Sequence, residues 1–182
     1  MSVGKLALGL AVGGAGALLF RIRPREPVFE VICINLKGLK LRVSTESLLP
    51  LAVIDLEVII SIKVTNPNVA PIEYKSTVMD IYYRGSLLGQ AQVPAGSQGA
   101  NSSEILEVPA KMDGLEATQH LKDLAKDVAK REMTIRAVVT IEGSAWMWKW
   151  GHRFAVRVDS EIKVDPILLD VIEQENKVHL EL

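Results

Sequence analysis

Three histidines, one cysteine and two neighbouring carboxylates are the groups in this sequence with the most chemistry open to them. His120, His152 and His179 lie far apart and fall in separate predicted elements, so no pair stands at metal-ligand spacing. Cys33 is the single cysteine, which excludes an intramolecular disulfide framework and a cysteine-rich metal site. On an apolar strand it reads as a small core residue. Nucleophilic catalysis needs a Ser or Cys with a base on a supporting turn, and the chain has no G-x-S-x-G elbow. Gly14-Ala15-Gly16 has no strand before it and no third glycine in frame, so it is not a dinucleotide loop, and there is no P-loop. Asp55 and Glu57 share the polar side of a predicted strand with Lys63, the pattern of a solvated face rather than a glycosidase pair. The expectation is a protein that is not an enzyme, with no catalytic residue, no metal ligand and no cofactor.

Trp146, Trp148 and Trp150 alternate with Met147 and Lys149. In one strand the three indoles would share a face. Two readings stand: a row touching lipid headgroups or a ligand, and a cluster packed beneath the helix or closing one end of the fold. Asn101-Ser102-Ser103 forms an N-glycosylation sequon in a polar loop, which matters only if the domain faces a secretory lumen.

The elements that would position these groups emerge from hydropathy. The 182 residues carry 21 Lys+Arg against 22 Asp+Glu, without the basic footprint of a general nucleic-acid binder. Hydrophobic residues make up 48% and charged residues 24%, as in globular domains, yet the mean hydropathy is +0.21. Part of that excess is the uncharged run Leu6–Phe20. As a helix it would span about 22 Å, against roughly 30 Å of bilayer hydrocarbon. Lys5 and Arg21 flank it and can snorkel. Gly9 and Gly13 form a GxxxG pair extended by Ala17, a face suited to self-association or to docking on a membrane-protein partner. A membrane anchor formed by Leu6, Gly9, Gly13, Ala17, Phe20 and Arg21 is the leading reading. A signal peptide cleaved at Ala15-Gly16-Ala17 and a buried or organelle-targeting helix are the alternatives. Arg21, Arg23 and Arg25 after the run lean the body towards a cytosolic or matrix-like side.

Beyond Pro27 the hydropathy has period two. Ile54, Leu56, Val58, Ile60, Ile62 and Val64 alternate with Asp55, Glu57, Ser61 and Lys63 in the longest predicted strand. Residues 134–141 and 154–164 repeat the pattern, and shorter strands are predicted at Val28–Leu36, Leu39–Val43, Thr77–Arg84, Leu87–Val93 and Glu104–Val108. Gly38, Asn66-Pro67-Asn68, Gly85-Ser86, Ala95-Gly96-Ser97 and Gly143-Ser144 separate them. One amphipathic helix interrupts the strands, with Asp113 and Glu116 as a capping box and Ala117, Leu121, Leu124, Ala125 and Val128 as its apolar stripe. Lys122, Asp123, Lys126, Asp127, Lys130 and Arg131 cover the opposite face. Asp165-Pro166 predicts a second, short helix carrying Ile167, Leu168, Val171 and Ile172. The pattern predicts a mainly β, two-sheet antiparallel sandwich of the immunoglobulin or fibronectin-III kind. Its expected divisions are an anchor segment at 1–25, the sandwich at 26–165 and a tail at 166–182.

The strand Ala52–Val64 runs into Thr65-Asn66-Pro67-Asn68, followed by Ile72 and Tyr74, Tyr82-Tyr83-Arg84-Gly85, Leu88-Gly89, Val93-Pro94 and a polar Gly/Ser/Gln loop. From Val28 to Val164 this series resembles group 2 of the plant late embryogenesis abundant proteins, whose domain is called the water-stress and hypersensitive-response (WHy) domain. The hairpin Ala145–Trp150 has no counterpart in that pattern. The resemblance implies a two-sheet sandwich with one helix, no catalytic centre, and association with dehydration stress or defence. Together with the apolar run it suggests a single-pass protein of the plasma membrane or an organelle membrane. Such a protein would protect or scaffold at a membrane through lipid contact of its N-terminal helix, without nucleic acid. A lipid-binding or lipid-transfer module, and an accessory subunit of a membrane complex, are the alternatives.

Overall fold

A computed structural model of the chain describes residues 25, 27–44, 51–147 and 150–181. The apolar run with Leu6, Gly9, Gly13, Ala17, Phe20 and Arg21 lies outside the described residues, as does Trp148. Among the described residues no helix is long and apolar enough to cross a membrane.

The described elements are β1 (Val28–Ser44), β2 (Leu51–Asn66), β3 (Ile72–Tyr74), β4 (Thr77–Tyr83), β5 (Ser86–Val93), β6 (Gly96–Gln98) and β7 (Ser102–Met112). After these come α1 (Gly114–Thr118), α2 (Leu121–Lys130), β8 (Met133–Met147), β9 (Trp150–Val164) and β10 (Val171–Glu181). All strand pairs are antiparallel. They form one continuous sheet in the order β1-β2-β7-β5-β4-β8, which continues from β8 through β9 to β10. The expected mainly β fold is present, but the pairing does not divide the strands into two sheets of the immunoglobulin or fibronectin-III kind. The sheet curls until β10 reaches β1, giving a nearly closed barrel. Side-chain amides bridge that last step: the Val31 N–H donates to Gln174 Oε1 (2.7 Å), and Asn176 Nδ2 donates to the Phe29 carbonyl (2.5 Å). Two ladder groups of β1 are thereby satisfied without a strand-to-strand ladder.

Period two decides what faces the interior. Val58, Ile60 and Val64 of β2 are buried with Ile81, Val108, Ile135, Val156, Val158 and Ile162 in one apolar core. Gly38 does not end a strand as its sequence predicts. β1 passes through it with register shifts at Val31/Cys33 and Leu36/Gly38, so the turn signal is absorbed as a bulge. Cys33 is partly exposed beside the first shift rather than in the core.

The single predicted helix is broken into α1 and α2 around Gln119-His120. Asp113 caps α1 as expected, its Oδ1 accepting the Leu115 N–H (2.8 Å). His120 is instead held sideways, its Nε2 2.8 Å from Ser86 Oγ and its ring edge-on to Tyr83. The short helix predicted after Asp165 does not form. Asp165 Oδ1 accepts the N–H groups of Ile167 and Leu168, but Leu169 turns to φ +60° and the chain enters β10, paired with β9 from Val171 to Glu181. An aspartate that caps a helix also builds an Asx turn, and here the long pairing with β9 decides which.

Candidate functional site: an amide corner, an aromatic hairpin and a polar cluster

The Asn-Pro-Asn segment closes β2 and forms a corner of neutral hydrogen bonds. Asn66 is fully buried. Its Nδ2 donates to the carbonyls of Ala70 (3.0 Å) and Gly99 (2.9 Å), and its Oδ1 accepts from the N–H and the side-chain amide of Asn68 (both 3.0 Å). All four bonds of an amide side chain are thus made. Pro67 donates nothing and ends the ladder, as its place after a strand requires. Asn68 then reaches 43 residues back. Its Oδ1 accepts the Arg25 N–H (2.7 Å) and its Nδ2 donates to the Arg25 carbonyl (2.9 Å). The Asn101 N–H donates to the Asn68 carbonyl (2.8 Å), so the sequon residue belongs to this corner, exposed, at φ +49°. Gln98 lies beneath, donating to the Val64 carbonyl. The corner therefore grips the backbone of Arg25, ahead of β1.

The tryptophans do not lie along one strand. Trp146 is on β8 and Trp150 opens β9, with Trp146 opposite Gly151 and Met147 opposite Trp150 in the register. Trp146 and Trp150 thus stand on paired strands, which strict alternation over residues 146–150 does not anticipate. At the base of this hairpin Gly143 pairs with both Tyr74 and Phe154. A Cβ there would lie 2.5 Å from the Glu73 carbonyl oxygen and collide with the Phe154 ring, so glycine is required for β3 to close on β8.

The far end carries a polar cluster that sequence periodicity missed. Asp127, expected on the solvated face of the helix, is 7% exposed. It accepts from the Tyr83 hydroxyl (2.8 Å), and both its oxygens lie 3.1 Å from Arg84 Nη2. Burial, and then the bond to Asp127, push the Tyr83 hydroxyl above its ordinary pKa. The helix turns accordingly: Leu124 packs on the core while Leu121 and Val128 of the predicted apolar stripe are exposed. Arg84 (φ +51°) and Gly85 (φ +86°) form the two-residue turn between β4 and β5. Gly89, four residues on, lies where a Cβ would strike the Lys111 carbonyl of β7. The Tyr-x-Gly-x-x-x-Gly stretch thus supplies one anchor for the helix, one turn and one close approach.

Nearby, Arg42 Nε donates to Asp55 Oδ2 (2.7 Å) and the Gly114 N–H to Asp55 Oδ1 (3.0 Å). These bonds, Arg42 first, hold the Asp55 carboxyl below its ordinary pKa. Glu57 pairs with Lys40. The two carboxylates are therefore occupied by different cations and converge on no common space. Among the described residues no group of three His, Cys, Asp or Glu side chains could hold a metal. The barrel interior contains an apolar cavity of about 70 Å³ beside Phe29, Ile60, Met79, Ile81 and Val156. That is well below the roughly 300–1,000 Å³ of common ligand pockets.

Residues 61–162, from the middle of β2 through most of β9, match the family described as "Late embryogenesis abundant protein". The chain belongs to that family. Membership suggests a stress-associated role, and the matched residues include the Asn-Pro-Asn corner and the glycine stretch. Of solved structures, a crystal structure of a protein from Archaeoglobus fulgidus is similar at 11% identity and a TM-score of 0.37, over 81% of this chain and 96% of that one. A solution structure of a protein from Arabidopsis thaliana is similar at 18% identity and a TM-score of 0.41, over 78% and 86%. No curated protein matches the chain.

Proposed function

We propose that this family member is a non-enzymatic, membrane-anchored β-barrel protein of the WHy group that protects or scaffolds at a bilayer surface under dehydration or defence stress. The observation that supports this reading most is the grip of Asn68 on the backbone of Arg25. A tether that ends in free chain would leave the body loosely strung. Here the Arg25 backbone is held by two hydrogen bonds to Asn68, which is itself bonded to the fully satisfied amide of Asn66. Leu6–Phe20 supplies the apolar length, and Gly9 and Gly13 supply a face for a second helix, from another copy or a membrane partner. Carbonate extraction of membranes from cells expressing the full chain tests the anchor: retention in the pellet is expected, and complete release defeats it.

A second reading, a lipid-binding or lipid-transfer module, draws on one observation, the apolar cavity next to the amide-bridged seam between β1 and β10. An acyl chain would need that seam to part. Native mass spectrometry of the purified chain should then find a bound lipid; a lipid-free mass in every charge state removes this reading.

A further inference from the structure

Three segments meet at the helix end of the barrel. Tyr83, just before the Arg84–Gly85 turn, pairs with Ile135, near the start of β8. Helix α2 leads into β8 at Met133, and Met133 pairs with Val164, just before the Asp165 turn. Side-chain bonds tie the three together: Arg84 with Asp127, Ser86 with His120, and Arg131 with Asp165 (2.8 Å). Each segment leaves large apolar side chains exposed, Leu87 on β5, Leu121 and Val128 on α2, and Ile167 and Leu168 on the turn. None of the five lines the interior cavity or the grooves beside Asp127 and Glu142. Within α2, Asp127 and Leu124 face the barrel. That orientation rolls Leu121, Ala125 and Val128 onto an exposed flank and raises Lys122, Lys126 and Lys130, at i, i+4 and i+8, into a ridge beside it. Lys126 lies 3.7 Å from Asp123, and Lys122 and Lys130 make no ion pair among the described residues.

We propose that this helix end is a docking surface for an anionic phospholipid bilayer. An apolar flank beside a lysine ridge is the pattern of a helix lying in the headgroup layer. Leu121 and Val128 enter the acyl boundary, while the lysine stems run alongside and leave their ammonium groups at the phosphates. Ile167 and Leu168 add a second apolar point of contact, fixed to the helix by the Arg131–Asp165 pair. A folded acidic protein would need a surface shaped to five side chains on three segments. A fluid headgroup layer conforms to any such outline, which favours the bilayer. The docking face itself does not depend on the anchor reading of Leu6–Phe20. Arg25 is held at the other end of the barrel, so an anchored chain would present the helix end to a second bilayer and bridge the two.

The test reconstitutes the full chain into phosphatidylcholine vesicles and adds a second, dye-labelled population. The chain should capture labelled vesicles that contain phosphatidylserine but not those of phosphatidylcholine alone, and capture should fall as salt rises. Each lysine near an anionic surface is worth about five-fold in binding, so Lys122→Glu with Lys130→Glu should lower capture by at least about ten-fold. The same charge change at the other end, at the exposed Lys75 and Arg153, should leave capture within about two-fold, because charges beyond a Debye length are screened. Equal losses from Lys122→Glu/Lys130→Glu and Lys75→Glu/Arg153→Glu, or capture indifferent to phosphatidylserine, overturn the proposal and leave the anchor standing. No capture at all overturns it in favour of an acidic protein partner. A chain that does not stay with the phosphatidylcholine vesicles removes the anchor reading instead. Its own flotation with phosphatidylserine vesicles, against the same variants, then decides the helix end.

Discussion

The two ends of the barrel are held together by different chemistry. At the corner end, Asn66, Asn68 and Gln98 bond to backbone through neutral amides, around one fully buried side chain. At the helix end, charged groups do the joining: Asp127 with Tyr83 and Arg84, Asp55 and Asp113 with Arg42, Asp165 with Arg131. Neutral bonds in a closed corner are indifferent to salt and to moderate pH. Partly exposed ion pairs weaken with both. The contrast teaches that the end holding the N-terminal chain is the less adjustable one, while the helices sit on an electrostatic mount.

The largest expected effect breaks the corner. Asn66→Ala removes a fully buried amide that makes four hydrogen bonds and should cost about 3 kcal/mol in urea unfolding, unchanged by salt. Asp127→Ala leaves the buried Tyr83 hydroxyl without its acceptor and should cost about 2 kcal/mol. Asp127→Asn, which keeps an acceptor for Tyr83, should recover much of that loss. Equal losses for Asp127→Ala and Asp127→Asn would mean that the Arg84 charge pair, not the Tyr83 bond, carries the mount. Asn68→Ala should cost only about 1 kcal/mol but should visibly speed tryptic cleavage after Arg25; an unchanged rate would show that the corner does not hold the N-terminal chain.

The smallest effect sharpens the comparison by pH. The Asp55 carboxyl, and the Asp159 carboxyl bonded to Arg136, are both held below their ordinary values, chiefly by those arginine hydrogen bonds. A depressed carboxylate pKa adds stability that is complete above the unfolded value, about 4, and is lost as the pH falls through the folded value. Stability should therefore decline in acid below about pH 4. Arg42→Ala should lower stability slightly near neutrality and flatten that decline, whereas Asn66→Ala should leave its slope unchanged.

Much of the fold was legible because alternation is local. The faces of β2 and the strands of 134–141 and 154–164 follow from side chains that must point in or out. The exceptions have a common cause. Gly38 signals a turn but only bulges, because the pairing of β1 with β2 continues on both sides of it. Asp127 reads as solvated on a helical wheel, but Tyr83 and Arg84 lie 44 and 43 residues away. Asp165 announces a helix, and the ladder of β9 takes the chain instead. The Asn-Pro-Asn turn was visible as a turn, but its hold on Arg25 was not. The tryptophan row was visible as chemistry, but that Trp146 and Trp150 belong to paired strands rests on the register of β8 with β9.

The sequence by itself determined the period-two strands, the turns at Asn66–Asn68 and Gly85-Ser86, and an apolar run with arginines behind it. Each depends on neighbours within a few residues. Tertiary structure alone decided that the barrel closes through Gln174 and Asn176 onto β1, more than 140 residues away. It also decided that Asp127 is buried, that Gly89 must pass close to the Lys111 carbonyl, and that Arg25 is held at the Asn66 end of the barrel. Those outcomes depend on strand order, and a one-dimensional pattern of polar and apolar residues satisfies many orders equally well.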